Sequence, residues 1–180
     1  MVDTFKTLGG APGIGSVFAQ RIVVGVGDMA ISNSANVILS TYALGSCVGV
    51  IAYDPMLVVG GLLHIMLPNS KLSPRKAVSQ PSMFADTGLR AFLDGFQGLK
   101  CDVRRLRIML AGGASVINRN DMFNIGERNI TAVKEILRRE GLHVRRKELG
   151  GFNNRTIHLD LSNGVVDMKT PDGLQKIPLV

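Results

Sequence analysis

Two stretches decide the fold of this 180-residue chain: Thr41-Tyr-Ala-Leu-Gly-Ser-Cys-Val-Gly-Val-Ile-Ala-Tyr-Asp-Pro55 and Gly60-Gly-Leu-Leu-His-Ile-Met-Leu-Pro68. Each contains a nearly continuous apolar run, and the Asp54-Pro55 dipeptide between them is typical of a turn. Apolar runs of this kind predict neighbouring strands that are buried on both faces. The sequence therefore predicts a rigid sheet centre, with Cys47 at the head of one strand and His64 inside the next.

The rest of the chain predicts shorter strands and two helices. Helical spacing follows Pro81, and a second helix is predicted from about Gly126 to Glu140. Eight or nine strands with only two crossovers favour an α+β fold, with mixed β-sheets and helices packed outside, over a doubly wound parallel fold. The predicted strands cover 21–24, 28–32, 36–42, 48–53, 58–67, 106–110, 142–149, 156–161 and 165–169, and residues 69–80 are predicted to be a polar, basic loop.

The chain divides into a leader and one domain. Residues 1–16 are rich in glycine and predict a flexible N-terminal leader. The segment Gly10-Ala-Pro-Gly-Ile-Gly15 superficially resembles a phosphate-binding loop, but no strand precedes it and no Lys-Ser/Thr pair follows. Residues 17–180 are long enough to bury a substantial core, and we expect them to form a single domain.

Charge and aromatic content limit the classes of partner. The formal net charge is +7, with basic residues concentrated in 104–107 and 138–147. Aromatic residues make up 5% of the chain and tryptophan is absent, which argues against base stacking on single-stranded nucleic acid. We therefore expect no nucleic-acid partner. The basic residues form either a solvated face or an electrostatic docking surface.

Cysteine and histidine usage indicates a reducing compartment and no metal. Cys47 and Cys101 show neither CxxC spacing nor a disulfide framework, which favours the cytoplasm. The three histidines, His64, His143 and His158, show no zinc-ligand spacing. No signal peptide and no run of the ~20 apolar residues needed to cross a bilayer is evident. We expect a cytoplasmic protein without metal, cofactor or membrane insertion.

Cys47 and His64 are the candidate chemical pair. A thiol is a weak nucleophile until a base or a positive charge assists it, and a nearby histidine is the usual base. Taken singly, a histidine in an apolar run and a cysteine after a small-residue turn are usually core residues. Together they favour a catalytic pair. Gly45-Ser46 precedes Cys47 and Gly60-Gly61 precedes His64, and such small residues let a substrate approach closely.

Several motifs carry a resemblance that extends from about residue 36 to residue 169. They are Thr41-x-x-Leu-Gly-Ser-Cys47, Tyr53-Asp54-Pro55, Gly60-Gly61-x-x-His64-x-Met66-Leu67-Pro68, Phe84-Ala85-Asp86-Thr87, Gly112-Gly113-Ala114, Ile125-Gly126-Glu127-Arg128-Asn129 and Gly150-Gly151. In this order and spacing the chain resembles the CheD family, the chemoreceptor glutamine deamidases of bacterial chemotaxis.

The resemblance implies a fold, an activity and a catalytic set. It implies a fold similar to the catalytic domain of the cytotoxic necrotizing factor toxins and a protein-glutamine glutaminase activity. It implies a catalytic triad of Cys47, His64 and Thr41. Specific glutamine side chains would become glutamate through a cysteine thioester, with release of ammonia. Backbone N–H groups of the turn at Gly45 and Ser46 would stabilise the oxyanion.

The resemblance also implies partners. These are the cytoplasmic domains of methyl-accepting chemotaxis proteins and, in some bacteria, a CheC-type phosphatase. Met122 and Phe123 form an apolar pair in a polar loop, which is either tucked onto the core or offered to a partner. With Arg128 nearby, we predict that they help to bind such a partner.

Two alternatives remain open at this level. One is a non-catalytic adaptor that binds a CheC-type phosphatase or receptors, and the other is a cysteine-histidine hydrolase of small amides or nucleosides. The chain also departs from the family pattern at Asn154, which precedes Arg155, and at Met109-Leu-Ala111, which precedes Gly112. These departures concern substrate or partner detail and leave the candidate triad intact.

Overall fold

The structure is a computed structural model that describes residues 19–115 and 124–180. The predicted leader, residues 1–16, lies outside the described residues. The strands are β1 Gln20–Val23, β2 Met29–Ser32, β3 Val37–Leu44, β4 Val48–Asp54, β5 Val59–Ile65, β6 Arg107–Gly112, β7 Val144–Leu149, β8 Arg155–Asp160, β9 Val165–Thr170 and β10 Gly173–Pro178. The helices are α1 Pro74–Ser79, α2 Ala85–Gly98 and α3 Ile125–Arg139, with single 3-10 turns at Ser70–Leu72, Pro81–Met83 and Val103–Arg105.

The strands form two five-stranded sheets. The first sheet has the order β1-β3-β8-β9-β10, and the second has the order β2-β5-β4-β6-β7. The pairs β1–β3 and β6–β7 are parallel, and the other neighbours are antiparallel, so both sheets are mixed. This arrangement confirms the predicted α+β fold with mixed sheets.

Two hydrophobic cores hold the layers together. The inner core lies between the two sheets and includes Leu39, Ile51 and Leu159. The outer core lies between the second sheet and the helices α2 and α3. A Cβ atom added at Gly61 would lie 2.8 Å from the rings of Phe92 and Phe96, so the absent side chain permits close packing of α2. The helices therefore pack outside the sheets, as predicted.

The β4–β5 hairpin is the buried centre of the second sheet. Every residue of both strands is buried, which confirms the prediction from their continuous apolar runs. Their register places Gly49 opposite His64 and Val48 opposite Ile65. At the turn, the buried Asp54 carboxylate forms an ion pair of 2.8 Å with Arg105. The hairpin is therefore a fixed platform for the residues at its open end.

A β-bulge interrupts β3 just before Cys47. Thr41 pairs with Ile157 and Leu44 pairs with Arg155, so β3 contains one more residue than β8 over this interval. Ala43, inside the bulge, adopts a positive φ of 55°. Thr41 and Leu44 are three residues apart, and both are completely buried. The bulge therefore turns both side chains inward, which a regular strand would not do.

Three elements differ from the sequence prediction. Residues 69–80 were expected to form a loop, but they contain α1, none of whose residues is buried. The last strand, β10, was not predicted at all. Only Ile177 of its six residues is buried, so its sequence carries no alternating pattern. Helix α2 begins at Ala85, because Pro81–Met83 forms a separate 3-10 turn.

Candidate active site

His64 is held inside β5 by its backbone and lies at the level of the inner core. Its N–H donates to the Asp28 carbonyl at 3.0 Å, and its carbonyl accepts from the Gly27 N–H at 2.9 Å. Its side chain shares a sheet face with Leu62, two residues away, which packs in the inner core. His64 is 1% exposed. Its ring is therefore fixed between the two sheets.

Thr41, from the first sheet, orients the His64 ring. The Thr41 Oγ1 atom lies 2.7 Å from His64 Nδ1 and donates its own proton to the Val24 carbonyl at 2.8 Å. Since that hydroxyl has one proton, its oxygen must accept from Nδ1–H of the ring. The proton thus sits on Nδ1, and Nε2 carries a free lone pair. This is the tautomer that a general base requires.

Cys47 lies at the open end of the β4–β5 hairpin. It is half-buried against the inner core, two residues before Gly49, which pairs with His64. Cys47 directly precedes β4 and packs on the inner-core side of the hairpin, the side on which the His64 ring also lies. His64 Nε2 is buried and forms no hydrogen bond with any described residue, the Cys47 thiol included. Catalytic hydrogen bonds often close only when substrate is bound.

Burial favours the uncharged form of both groups. It raises the pKa of the Cys47 thiol above its ordinary value. It also lowers the pKa of His64 to about 4. These directions indicate a resting pair of neutral thiol and neutral imidazole. A thiolate preformed by an imidazolium is not favoured by this environment.

The turn formed by Gly45, Ser46 and Cys47, here called the Cys47 turn, is fixed at all three carbonyls. The Gly45 carbonyl accepts from the Ala114 N–H at 2.7 Å, and the Cys47 carbonyl accepts from the Gly113 N–H at 2.7 Å. Between them, the Ser46 carbonyl accepts from Asn129 Nδ2 at 3.0 Å. Gly45, Ser46 and Cys47 are half-buried, and hydrogen bonds hold the turn in place.

The approach of the Gly112–Gly113 segment to this turn requires glycine. Gly112 has a φ of +102°, and a Cβ atom added there would lie 2.2 Å from the Cys47 carbonyl oxygen. That distance is far inside van der Waals contact, and the backbone conformation is one that other residues rarely adopt. The glycine pair in the sequence therefore reflects close packing against the Cys47 turn.

Comparison with known proteins places the chain in a family. Residues 66–170 match the family model described as CheD chemotactic sensory transduction. The chain belongs to the CheD family. A protein of Solibacter usitatus named probable chemoreceptor glutamine deamidase CheD is 40% identical over 145 residues, or 81% of this chain and 86% of the relative.

Other CheD relatives show similar coverage. The protein of that name from Desulforamulus reducens is 44% identical over 153 residues, covering 83% of this chain and 90% of its own. The one from Pyrococcus abyssi is 39% identical over 163 residues, which cover 89% of this chain and 98% of the relative. Among solved structures, the hypothetical protein YfiH of Bacillus licheniformis matches with a TM-score of 0.41 and 11% identity, covering 81% of this chain and 64% of that one. That similarity is too low to carry an argument.

Two contributors to the site were missed by sequence reasoning. Asn129 was quoted only as part of a CheD motif, yet its amide contacts the Cys47 turn. Its position among the buried residues of α3 was the available signal, because a polar residue on an apolar helix face needs a partner. The Val24 carbonyl, which accepts from Thr41, is a backbone group and gave no signal.

The predicted docking residues are only partly described. Met122 and Phe123 lie outside the described residues, and Arg128 is exposed on the first turn of α3. The docking role of all three stays a prediction. Of the two departures from the CheD pattern, Asn154 is exposed in the loop before β8, whereas Met109 and Ala111 are fully buried in the inner core.

The described residues contain neither a candidate metal site nor a membrane-spanning helix. Within 19–115 and 124–180, no three side chains of histidine, cysteine, aspartate or glutamate are grouped so as to hold a metal ion. In the same part of the chain, no helix is both long enough and apolar enough to span a membrane.

Proposed function

We propose that this chain is a chemoreceptor glutamine deamidase. It would hydrolyse the side-chain carboxamide of specific glutamines in the cytoplasmic domains of methyl-accepting chemotaxis proteins. One observation carries the proposal: Thr41 holds His64 in the Nδ1–H tautomer beside the Cys47 turn. The names of the CheD relatives supply the substrate class.

In the first step, Cys47 attacks the substrate carboxamide. His64 Nε2 removes the thiol proton as the sulfur bonds to the carboxamide carbon, and the carbonyl π electrons move to the oxygen. Because both groups are neutral at rest, this proton transfer accompanies the attack. The N–H groups of the Cys47 turn stabilise the resulting oxyanion, each well-placed donor contributing about 2.7–4 kcal/mol.

In the second step, the tetrahedral intermediate collapses and ammonia leaves. The C–N bond breaks, and the imidazolium of His64 returns its proton to the departing nitrogen. A thioester to Cys47 remains, and a water molecule then attacks it while Nε2 accepts a water proton. The C–S bond breaks, the sulfur regains a proton, and the product side chain is glutamate.

The Thr41 hydroxyl explains the expected pace of the reaction. It is a positioning group with no charge, so it stabilises the imidazolium less than a carboxylate would. We expect modest turnover, which is sufficient for an enzyme that modifies each receptor site once.

The direct test is incubation with a purified receptor cytoplasmic fragment. Mass spectrometry of its peptides should show glutamine converted to glutamate at specific positions. Cys47→Ala should abolish the conversion, whereas Cys101→Ala, which removes the other thiol, should retain it. If the wild-type protein binds the fragment without converting any glutamine, the adaptor alternative is favoured instead.

The location and the second partner follow from the same proposal. Since the receptor domains it would modify lie in the cytoplasm, we infer that this CheD-family chain is cytoplasmic. Binding of a CheC-type phosphatase stays a prediction. We also propose that residues 17–180 are one domain, because the two sheets share the inner core.

A further inference from the structure

We propose that Asn129 is a positioning residue that orients the Cys47 N–H toward the oxyanion formed during acyl transfer. This inference rests on the proposed thioester chemistry at Cys47, and it adds a side chain from α3 to the site. Asn129 is 0% exposed, although its helix otherwise buries mainly apolar residues against the second sheet.

The Cys47 turn is held through its backbone carbonyls. Its three consecutive carbonyls are all hydrogen-bonded, two of them to the backbone N–H groups of Gly113 and Ala114. The middle carbonyl, that of Ser46, is held by the Asn129 side chain. Since both groups that its amide contacts are carbonyl oxygens, the contacting atom must be the nitrogen. Asn129 is thus the side chain that fixes the central peptide plane of the turn.

The hydrogen bond to the Ser46 carbonyl also sets the direction of the Cys47 N–H. All peptide bonds in the described ranges are trans. In a trans peptide the carbonyl of one residue and the N–H of the next point in opposite directions. Holding the Ser46 carbonyl toward α3 therefore directs the Cys47 N–H away from α3. Rotation of this plane would move the N–H out of line with the substrate oxygen, without displacing the Cys47 side chain greatly.

The Asn129 amide also bonds to the chain that follows His64. Asn129 Nδ2 also donates to the Met66 carbonyl at 3.0 Å. The β4–β5 ladder ends at the Val48–Ile65 pair, so Ser46 and Met66 lie just beyond its open end. One amide group therefore bridges the chain before the nucleophile and the chain after His64. It closes the hairpin where the backbone ladder no longer does.

The remaining atom of the amide makes no bond to the Cys47 turn. Asn129 Oδ1 is buried and finds no hydrogen-bond partner within residues 19–115 and 124–180. The bonds to the Ser46 and Met66 carbonyls are both made by Nδ2, so a substitution that removes this nitrogen removes both at once.

The test compares two reactions of the same thiol in a Cys101→Ala background. With p-nitrophenyl acetate, the Cys47 sulfur attacks the ester carbonyl and expels p-nitrophenolate, so the reaction passes through an oxyanion. With iodoacetamide, the sulfur displaces iodide from a saturated carbon and no oxyanion forms. The ratio of the two rates isolates oxyanion stabilisation from thiol activation and access, and neither reaction needs a receptor substrate.

Asn129→Ala should lower the rate of p-nitrophenolate release by about 10- to 100-fold, because the oxyanion donor is no longer held in place. Its iodoacetamide rate should stay within about threefold of the parent, because thiolate fraction and access govern alkylation. Asn129→Ser keeps one donor, so its rate of p-nitrophenolate release should lie between those of the parent and of Asn129→Ala. Val133→Ala removes packing from the same buried face of α3 and should change neither rate.

Several results would overturn the proposal. Equal loss in both reactions would show that Asn129 supports the thiol or the fold in general, and no loss in either would show that it has no role. Absence of Cys47-dependent acylation in the parent would mean that the turn stabilises no oxyanion. If neither Asn129 variant folds by circular dichroism, the residue serves stability. Failure of receptor deamidation alone would refute the proposed function and leave this inference standing.

Discussion

Replacing Thr41 by valine removes the hydroxyl that joins the two sheets at the candidate site. That oxygen accepts from His64 Nδ1 at 2.7 Å and donates to the Val24 carbonyl at 2.8 Å, and Thr41 is 0% exposed. Valine has nearly the same shape, so packing is preserved while both polar partners lose their bond. Each such loss costs about 1–3 kcal/mol, and we expect the two together to lower the free energy of unfolding by about 2–6 kcal/mol.

The effect on catalysis comes from the position of the ring proton. Without an acceptor for Nδ1–H, the tautomer with its proton on Nε2 is no longer disfavoured, and in that form Nε2 cannot accept the thiol proton. Loss of a general base typically lowers the rate by about 10²–10⁴-fold. We therefore expect Thr41→Val to lower kcat for deamidation on the order of 100-fold, with KM little changed.

The matched control is Thr41→Ser, which keeps the hydroxyl and removes one methyl group. It should lose about 1 kcal/mol of stability. Its kcat should stay within about threefold of wild type, since the general base is intact. Deamidation is measured by mass spectrometry of a receptor fragment, and stability by urea unfolding. A Thr41→Val enzyme with wild-type kcat, or a Thr41→Ser enzyme as impaired as the valine variant, would refute the reasoning.

Three further predictions follow from burial and charge. The pKa of His64 falls from 6.5 to about 4 on folding. Between these pH values the imidazole is therefore protonated in the unfolded state and neutral in the folded state. His64 should therefore raise the free energy of unfolding by about 3 kcal/mol between about pH 4 and 6.5, and His64→Gln should remove this contribution in urea titrations. Iodoacetamide should label Cys47 before Cys101, because Cys101 is buried and its pKa is raised to about 11, and equal labelling would contradict this. Arg105→Ala should lower the free energy of unfolding by about 1–3 kcal/mol, because it leaves the buried Asp54 carboxylate unpaired, and an unchanged urea midpoint would argue against the ion pair.

The sequence predicted those parts of the fold that bury a regular pattern. The β4–β5 hairpin has continuous apolar runs, and α3 presents Ile130, Val133 and Leu137 at helical spacing, so both were found. Helix α1 buries nothing and β10 buries one residue, so neither leaves a periodic trace. Tertiary contacts alone decide such elements.

The sequence predicted the side chains of the candidate site but not the backbone groups that hold them. Thr41 and His64 were paired through the family resemblance, and the structure brings them into hydrogen-bond contact. The partners that fix this contact include the Val24 carbonyl. Every residue has a backbone carbonyl, so the sequence does not show which one accepts this hydrogen bond. The bonding of the Cys47 turn depends on Gly113 and Ala114 backbone groups, whose direction follows from tertiary packing.

The β-bulge in β3 makes chain length, more than residue identity, the constraint between Thr41 and Cys47. Tyr42 and Ala43 are exposed, so side-chain size is not restricted at either position, although the positive φ of Ala43 disfavours β-branched residues there. Adding or deleting a single residue would reverse which way every following side chain faces, because strand positions alternate. Leu44 would then point to solvent, and Cys47 would leave the face it shares with His64. Building this site into another protein with two packed sheets would therefore require the same six-residue spacing from Thr41 to Cys47, with the bulge included. The identities of the intervening residues would be chosen afterwards.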